Sequence, residues 1–381
     1  MNTTTSCRAS FVGLRPVDGF TLVELMVALA IGLITSLAIA QVLMFSEGYK
    51  RTATSGSDAQ TNGSLALYTL QRDIQMAGYG FASDKDALGC PIHAKFNGAD
   101  VATGAGVATF PTVLAPVVID TTDVNRNGIR VLSSSKTSYS IPTRIIAPSY
   151  NPLLPATANR FMVNSTLGTV AGDLMLATGA AGAICEVFQV SSDPTVASTI
   201  DRIDDTKWNA TGFPTATYFD GNALVNLGTL EDSTYSINAA GSLQQTRFAL
   251  NALTSAPGYS AARDLFPNIV ALRAYYGLDT DNDQIVDTYT QTQPANNVGW
   301  LQVRTVRLAI VSRSATYERD VVTGANPQWD VGTTGTFAPA AAPCGTSRCL
   351  TLGIDTLPDW QHYRYKVFDT EIPLRNMLWA P

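Results

Sequence analysis

Residues 20–45 read FTLVELMVALAIGLITSLAIAQVLMF, a run of 26 residues with no proline and one ionisable side chain, Glu24. As an α-helix it is about 39 Å long, which exceeds the ~30 Å hydrocarbon layer of a membrane. The preceding segment carries Arg8 and Arg15 against Asp18, a charge bias that favours a cytoplasmic flank. The pattern predicts a membrane helix, with the larger part of the chain on the opposite side.

The composition of the whole chain excludes several classes of function. It has 381 residues, 15% of them charged, 45% hydrophobic, and a formal net charge of -6. This acidic balance disfavours direct nucleic-acid binding, which depends on Lys and Arg neutralising phosphates. The two histidines, His93 and His362, and the lack of a P-loop or G-x-S-x-G string disfavour an enzyme. We therefore expect a non-enzymatic protein.

Two ordinary interpretations of residues 20–45 leave something unexplained. A secretory signal peptide has an apolar part of about 7–15 residues followed by a small-residue site, and Ala38-Ile39-Ala40 fits such a site. The apolar run nevertheless continues beyond it, and Glu24 interrupts the run. An uncleaved anchor explains the length but not Glu24, since a carboxylate in a bilayer costs about 2.5–3.5 kcal/mol. This carboxylate needs a partner.

The residues around Glu24 suggest one. GFTLVE, residues 19–24, resembles the processing site of type IV prepilins and type II secretion pseudopilins. The resemblance implies that a prepilin peptidase cuts between Gly19 and Phe20 and methylates the amine of Phe20. It also implies that Glu24 pairs with the N-terminal amine of a neighbouring subunit during assembly. Such a pair would fix the axial register of otherwise featureless apolar helices, as one polar residue does in a coiled coil.

Two further segments narrow the resemblance to PilW-like minor pilins of type IV pili: LQRDIQMAGYGF, residues 70–81, and YKVFDTEIPLRNMLW, residues 365–379. Residues 100–260 match only in general character. The resemblance implies a role in priming and assembling a pilus for motility, adhesion or DNA uptake. Implied partners are other minor pilins, the major pilin, a tip adhesin, the prepilin peptidase and the inner-membrane assembly platform. The implied location is the bacterial inner membrane, single-pass with the head in the periplasm, and then the pilus fibre or tip.

Two alternatives remain open at this point. A minor pseudopilin of a type II secretion system shares the processing site, although the long head and residues 70–81 favour the pilus. A membrane-anchored periplasmic enzyme is the alternative from another class, and hydrolase activity in the head would support it.

The fold class predicted is α+β and pilin-like. A long N-terminal spine helix, half membrane-embedded and half amphipathic, packs on a mainly antiparallel β-sheet head with long loops. The amphipathic half is indicated by Leu67, Leu70, Ile74 and Ala77 at helical spacing. The domains expected are a leader removed at 1–19, a transmembrane and fibre-core helix at 20–45, an amphipathic helix packing on the head at 46–80, and the β-rich periplasmic head at 81–381.

Cysteine usage indicates disulfides. If Cys7 leaves with the leader, Cys90, Cys185, Cys344 and Cys349 remain, and four cysteines allow three pairings. The short spacing favours a bond between Cys344 and Cys349, which leaves Cys90 for Cys185. A zinc site is disfavoured because the Cys344-x4-Cys349 spacing has no matching second pair of ligands.

One acidic segment has the spacing of a calcium loop. DTDNDQIVD, residues 279–287, places Asp279, Asp281, Asp283 and Asp287 at positions 1, 3, 5 and 9, with the Ile285 carbonyl at position 7. We expect a structural Ca²⁺ here and no other cofactor. The alternative is a solvated acidic turn, but four close carboxylates repel one another unless a cation is present.

The segment also departs from the EF-hand form. Gln284 stands where the sharp turn has glycine, and Thr290 stands where the bidentate Glu is found. A second stretch, DVNRNG at 123–128, has similar spacing but one carboxylate and an internal arginine, so it is predicted to be an Asx-rich turn.

Overall fold

The structure, a computed structural model, describes Gly19 and residues 21–101, 110–136, 141–195, 198–204, 207–249 and 258–377. Residues 1–18 of the expected leader, and Phe20, lie outside the described residues. The chain divides into two units, one ending at Thr54 and the other beginning at Ser55.

After one long N-terminal helix the regular structure of the chain is mostly β-strand, with a five-residue helix and a 3-10 turn between later strands. The helices are α1 (Leu22–Met76), α2 (Asn297–Leu301) and a 3-10 turn (Trp360–His362). The strands are β1 (Ile92–Phe96), β2 (Ala99–Asp100), β3 (Val117–Asp120), β4 (Gly128–Ser133), β5 (Thr143–Arg144), β6 (Arg160–Met162), β7 (Leu174–Thr178), β8 (Cys185–Gln189), β9 (Thr199–Asp201), β10 (Ala223–Gly228), β11 (Glu231–Ile237), β12 (Ser242–Ala249), β13 (Gly258–Tyr259), β14 (Arg263–Pro267), β15 (Ile269–Leu278), β16 (Thr288–Thr290), β17 (Val303–Arg313), β18 (Gln328–Gly332), β19 (Thr336–Ala338), β20 (Ala342–Cys344), β21 (Ser347–Thr351) and β22 (Tyr365–Pro373).

Three larger sheets form the head. Their strand orders are β2-β1-β8-β7-β10-β5, then β13-β12-β11-β4-β3 with β14 beside β12, and finally β19-β16-β15-β17-β22. The pairs β1–β8 and β16–β19 are parallel, whereas the other strand pairs described are antiparallel. The predicted α+β class with a mainly antiparallel head is confirmed.

The second part of α1 buries one narrow face. Its buried positions recur every three or four residues, which places them on one side of a 3.6-residue helix. They are Ser55, Ala59, Gly63, Ala66, Leu70 and Ile74, followed by Ala77 just beyond the helix end. Leu67 is half-buried against the same core. The predicted stripe therefore exists, and it extends about three turns further toward the N-terminus through small residues.

Gly63 is one of those small residues, and packing explains it. A Cβ built there would lie 2.2 Å from the Phe368 ring of β22, the edge strand of the third sheet. The composition of this segment alone indicates only that glycine weakens a helix, by about 1 kcal/mol relative to Ala. Here the missing side chain lets the aromatic ring lie directly against the helix backbone.

The helix ends where the chain turns into the sheets. Gly78 has φ +77°, a left-handed conformation that glycine adopts without strain, and its N–H donates to Leu132 O of β4 at 2.8 Å. One turn earlier, the Tyr235 hydroxyl of β11 donates to the Asp73 carboxylate. Together these contacts tie the end of α1 to the second sheet.

Both disulfides favoured by the spacing are present. Cys90 is bonded to Cys185 and Cys344 to Cys349, with Cα separations of 5.8 and 5.7 Å. The first connects the segment before β1 to β8, and both of its cysteines are buried. In the loop-entropy description the long bridge stabilises the fold by about 4–5 kcal/mol and the short one by about 2 kcal/mol.

Candidate functional site

The segment at the start of α1 contains the residues expected to be processed and to act in assembly. Gly19 is exposed, and α1 begins at Leu22 directly after Thr21. The Thr21 Oγ1 accepts from the Glu24 N–H at 3.3 Å, and Glu24 Oε2 accepts from the Thr21 N–H at 3.4 Å and hydroxyl at 3.3 Å. This reciprocal pattern is a capping box. Glu24 thus completes the hydrogen bonding of its own helix end.

These hydrogen bonds are long and exposed, so they leave the Glu24 carboxylate accessible. Hydrogen bonds of 3.3–3.4 Å lie beyond the usual range, and both residues face solvent in the single chain. A charged donor approaching from outside would form a shorter and stronger bond with the same carboxylate. The geometry therefore permits Glu24 to exchange its own cap for an external amine.

The first part of α1 is apolar on every side. Every large apolar side chain from Leu22 to Phe45 is at least 52% exposed. This part of the helix is long and apolar enough to cross a membrane, and none of it is buried within the chain. Its hydroxyl groups are satisfied internally, since Thr35 donates to Ile31 O at 2.9 Å and Ser36 to Gly32 O at 2.8 Å. Apart from Glu24, the surface it presents suits lipid or other apolar helices.

The acidic loop joins β15 to β16 and folds around its own carboxylates. Asp279, Asp281 and Asp283 each place one carboxylate oxygen within 4.8 Å of the other two. Asp279 is buried, whereas the other two are exposed. Three of the four predicted carboxylate ligands thus lie together at a point where hard oxygen ligands could hold a divalent cation.

Asp287 and Ile285, the remaining members of the predicted ligand set, make other contacts. Asp287 Oδ2 accepts from the N–H and the hydroxyl of Thr280, both at 2.8 Å. These two hydrogen bonds lower the pKa of Asp287. The Ile285 N–H donates to Asp283 Oδ1 at 2.7 Å, and its side chain is exposed. Asp287 therefore braces the loop end, and a role for the Ile285 carbonyl stays a prediction.

Arg304 is the residue of this site that motif spacing does not reveal. Its Nε lies 3.1 Å from Asp279 Oδ2, and its Nη2 donates to Asn282 Oδ1 at 3.0 Å. It belongs to β17, which pairs with β15, and it lies 25 positions from Asp279 along the chain. Only the pairing of the two strands brings this cation to the loop.

A histidine between two carboxylates bears on the enzyme alternative. His93 Nε2 is 2.8 Å from Asp100 Oδ1, and its Nδ1 is 3.5 Å from Glu186 Oε1. Glu186 is buried and accepts hydrogen bonds from the Thr215 N–H and hydroxyl and from the Tyr218 hydroxyl. These contacts satisfy the hydrogen-bonding capacity of the buried Glu186 carboxylate, so the cluster around His93 has a structural explanation.

Two further local signals in the sequence predict contacts that the structure shows. T-x-x-E at residues 21–24 is the signature of a capping box, and it predicts the cap that Thr21 and Glu24 form. The small residues at 59, 63 and 66 continue the spacing of the apolar stripe, and they mark the face that packs closely. For Arg304 we find no comparable local signal.

The comparisons with known proteins place two family models on the chain. A model described as Type IV Pilus-assembly protein W matches residues 232–376, from β11 to just beyond β22 and including the acidic loop. A model described as Prokaryotic N-terminal methylation motif matches residues 14–40, which include Gly19 and Glu24. No curated protein and no solved structure matches the chain.

Proposed function

We propose that this chain is a PilW-like type IV pilin with a minor-pilin role in pilus assembly, and that its parts perform this role as follows. The peptidase cuts between Gly19 and Phe20, residues 20–45 hold the protein in the inner membrane, and the head waits in the periplasm. The assembly platform then moves the subunit into the complex that primes the fibre and remains at its tip. We also propose that the role is structural and not catalytic.

The observation that carries this proposal is the exposed apolar part of α1. A large apolar side chain gains about 1.5–3 kcal/mol when it moves from water into an apolar environment. From Leu22 to Phe45 these side chains obtain no such burial within their own chain. A membrane supplies the environment before assembly, and the helices of neighbouring pilins supply it afterwards. A helix that must move from the membrane to the fibre therefore has to be apolar on every side.

Glu24 favours transfer of the helix from the membrane to the fibre. In lipid, the capping box with Thr21 satisfies part of the carboxylate at low cost. In the fibre, the methylated amine of an adjacent pilin forms a charge-assisted pair with it, which is stronger in apolar surroundings. The major pilin and other minor pilins are the partners we propose for this pair, and a tip adhesin is the partner proposed for the head.

The processing step is tested by mass spectrometry of the chain extracted from membranes of a piliated host. We expect an N-terminus at methylated Phe20, and we expect Gly19→Ser to block or strongly slow cleavage. An intact Met1 terminus in cells with an active peptidase would contradict the proposal.

The assembly step is tested with Glu24→Ala against the matched control Glu47→Ala. Both residues are exposed on α1, but only Glu24 lies in the apolar part. Both variants should insert and be processed, whereas Glu24→Ala alone should be depleted from sheared pili, at least tenfold. Equal incorporation of the two variants would remove the pairing role from Glu24.

A further inference from the structure

We propose that Asp279, Asp281 and Asp283 bind one Ca²⁺ and that Arg304 weakens its binding. This inference does not depend on the pilus assignment, because it concerns only the loop between β15 and β16 and the neighbouring strand β17.

Each of the three carboxylates uses one oxygen within the loop and keeps the other available. Asp279 Oδ2 accepts from the Gln284 N–H at 3.0 Å, Asp281 Oδ1 accepts from the Asp283 N–H at 3.2 Å, and Asp283 Oδ1 accepts from the Ile285 N–H at 2.7 Å. The loop backbone therefore holds the carboxylates in place, and each residue retains a second oxygen for a ligand.

The second oxygen of Asp279 is the feature that points to a cation. Asp279 is only 1% exposed, and within the described part of the chain its Oδ1 has no hydrogen-bond partner. A buried acceptor without a partner is destabilising, and more so when it carries charge. The residue also belongs to the group whose oxygens lie within 4.8 Å of one another. A cation bound by the group would satisfy this oxygen.

The ligand atoms favour calcium over other divalent metals. All three side chains offer hard carboxylate oxygens, whereas zinc prefers sites that include nitrogen or sulfur. Asp281 and Asp283 are exposed, so water can complete the coordination shell. Calcium accepts six to eight oxygens in irregular geometry, but magnesium requires near-octahedral geometry and keeps most of its waters. A loop with three carboxylates and open sides suits the larger ion.

Arg304 opposes the ion by its charge. Its Nε is 3.1 Å from Asp279 Oδ2, so the guanidinium already neutralises part of the charge on which Ca²⁺ depends. The guanidinium and a bound divalent cation repel one another across a few ångströms, which in a water-like dielectric corresponds to about a tenfold loss of affinity. The same arginine restrains the loop when calcium is low, because it also holds Asn282.

The test is calorimetric titration of the full chain in detergent with CaCl₂, and separately with MgCl₂, after removal of metal by a chelator. We expect one Ca²⁺ per chain, with weaker binding of magnesium and a melting temperature that is at most a few degrees higher in calcium than in chelator. Absence of calcium binding, with equal melting in calcium and chelator, would overturn the site.

Four variants locate the site and test the arginine. Asp281→Asn combined with Asp283→Asn should abolish binding, and both positions are exposed, so the fold should persist. Asp123→Asn, in the other Asx-rich turn, should bind calcium as the wild type does. Arg304→Gln should bind about tenfold more tightly, whereas Arg304→Lys, which keeps the charge, should not. Equal affinity of the Gln and Lys variants would refute the opposing role of Arg304, and unchanged binding in the double variant would place the ion elsewhere.

Discussion

The two parts of helix α1 share one backbone conformation but have opposite surroundings. From Leu22 to Phe45 every large apolar side chain is at least half exposed, whereas Leu70 and Ile74 have no exposed surface. The first part depends on an environment outside the chain, and the second part is stabilised by the chain's own sheets. Helix propensity therefore determines the stability of neither part, because the packing of apolar faces, against the sheets or against an external environment, stabilises each of them.

The largest effect should come from creating a cavity beneath the second part. Leu70→Ala removes a fully buried side chain, so we expect the free energy of unfolding of the head to fall by about 2–5 kcal/mol. Leu29→Ala, in the exposed part, is the matched control and should leave head unfolding unchanged. Urea denaturation of the detergent-solubilised chain, followed by tryptophan fluorescence, measures both. Similar losses in the two variants would contradict the contrast between the two parts.

An intermediate effect should distinguish two glycines of the same helix. Gly63→Ala places a methyl group against Phe368, and overpacking of this kind costs about 1–3 kcal/mol. Gly56 is exposed with nothing within 4 Å of an added Cβ, so Gly56→Ala should stabilise the chain by up to about 1 kcal/mol. Thermal melting should therefore shift in opposite directions. Adding Phe368→Leu to Gly63→Ala should recover part of the loss, and no recovery would assign the defect to another cause.

The smallest effect concerns the bond between the helix and the second sheet. Tyr235→Phe removes the hydroxyl that donates to Asp73, and we expect a loss of about 1 kcal/mol. Tyr68→Phe, on an exposed side of the same helix, should have no effect. Chemical denaturation at neutral pH measures the difference between these two variants.

The same hydroxyl predicts a pH dependence at high pH. Burial, and then the hydrogen bond to Asp73, raises the pKa of Tyr235 above its ordinary value of 10.0. Because the folded state holds the proton more tightly, the stabilisation is complete below pH 10 and declines as the pH rises further. Above pH 10 the stability of Tyr235→Phe should therefore fall less steeply than that of the wild type. Parallel slopes would show that this hydroxyl does not titrate on unfolding.

The acidic loop shows how far spacing predicts a site. The spacing of Asp279, Asp281 and Asp283 predicted that their carboxylates would lie together, because a tight loop folds alternate side chains toward its centre. It did not predict that Asp287 would bond to Thr280, nor that Arg304 would reach Asp279. Both depend on how β15 pairs with its neighbours, which short-range patterns do not specify.

The disulfides were predictable for a different reason. Only five positions separate Cys344 and Cys349, so loop closure favours their bond, and the long bridge between Cys90 and Cys185 follows because two cysteines remain. No local pattern indicates that the long bridge connects the segment after α1 to a strand of the first sheet.

Local sequence is enough to specify the features that depend on neighbouring residues: the apolar helix, the processing motif at Gly19, the capping box at Thr21, the buried stripe and the α+β class. These are local because hydrogen bonding and helical periodicity act over a few residues. Which surface each side chain contacts depends on the tertiary packing. This packing places Phe368 on Gly63, Tyr235 on Asp73 and Arg304 beside Asp279, since each contact joins residues brought together only by packing the helix on sheets or pairing distant strands.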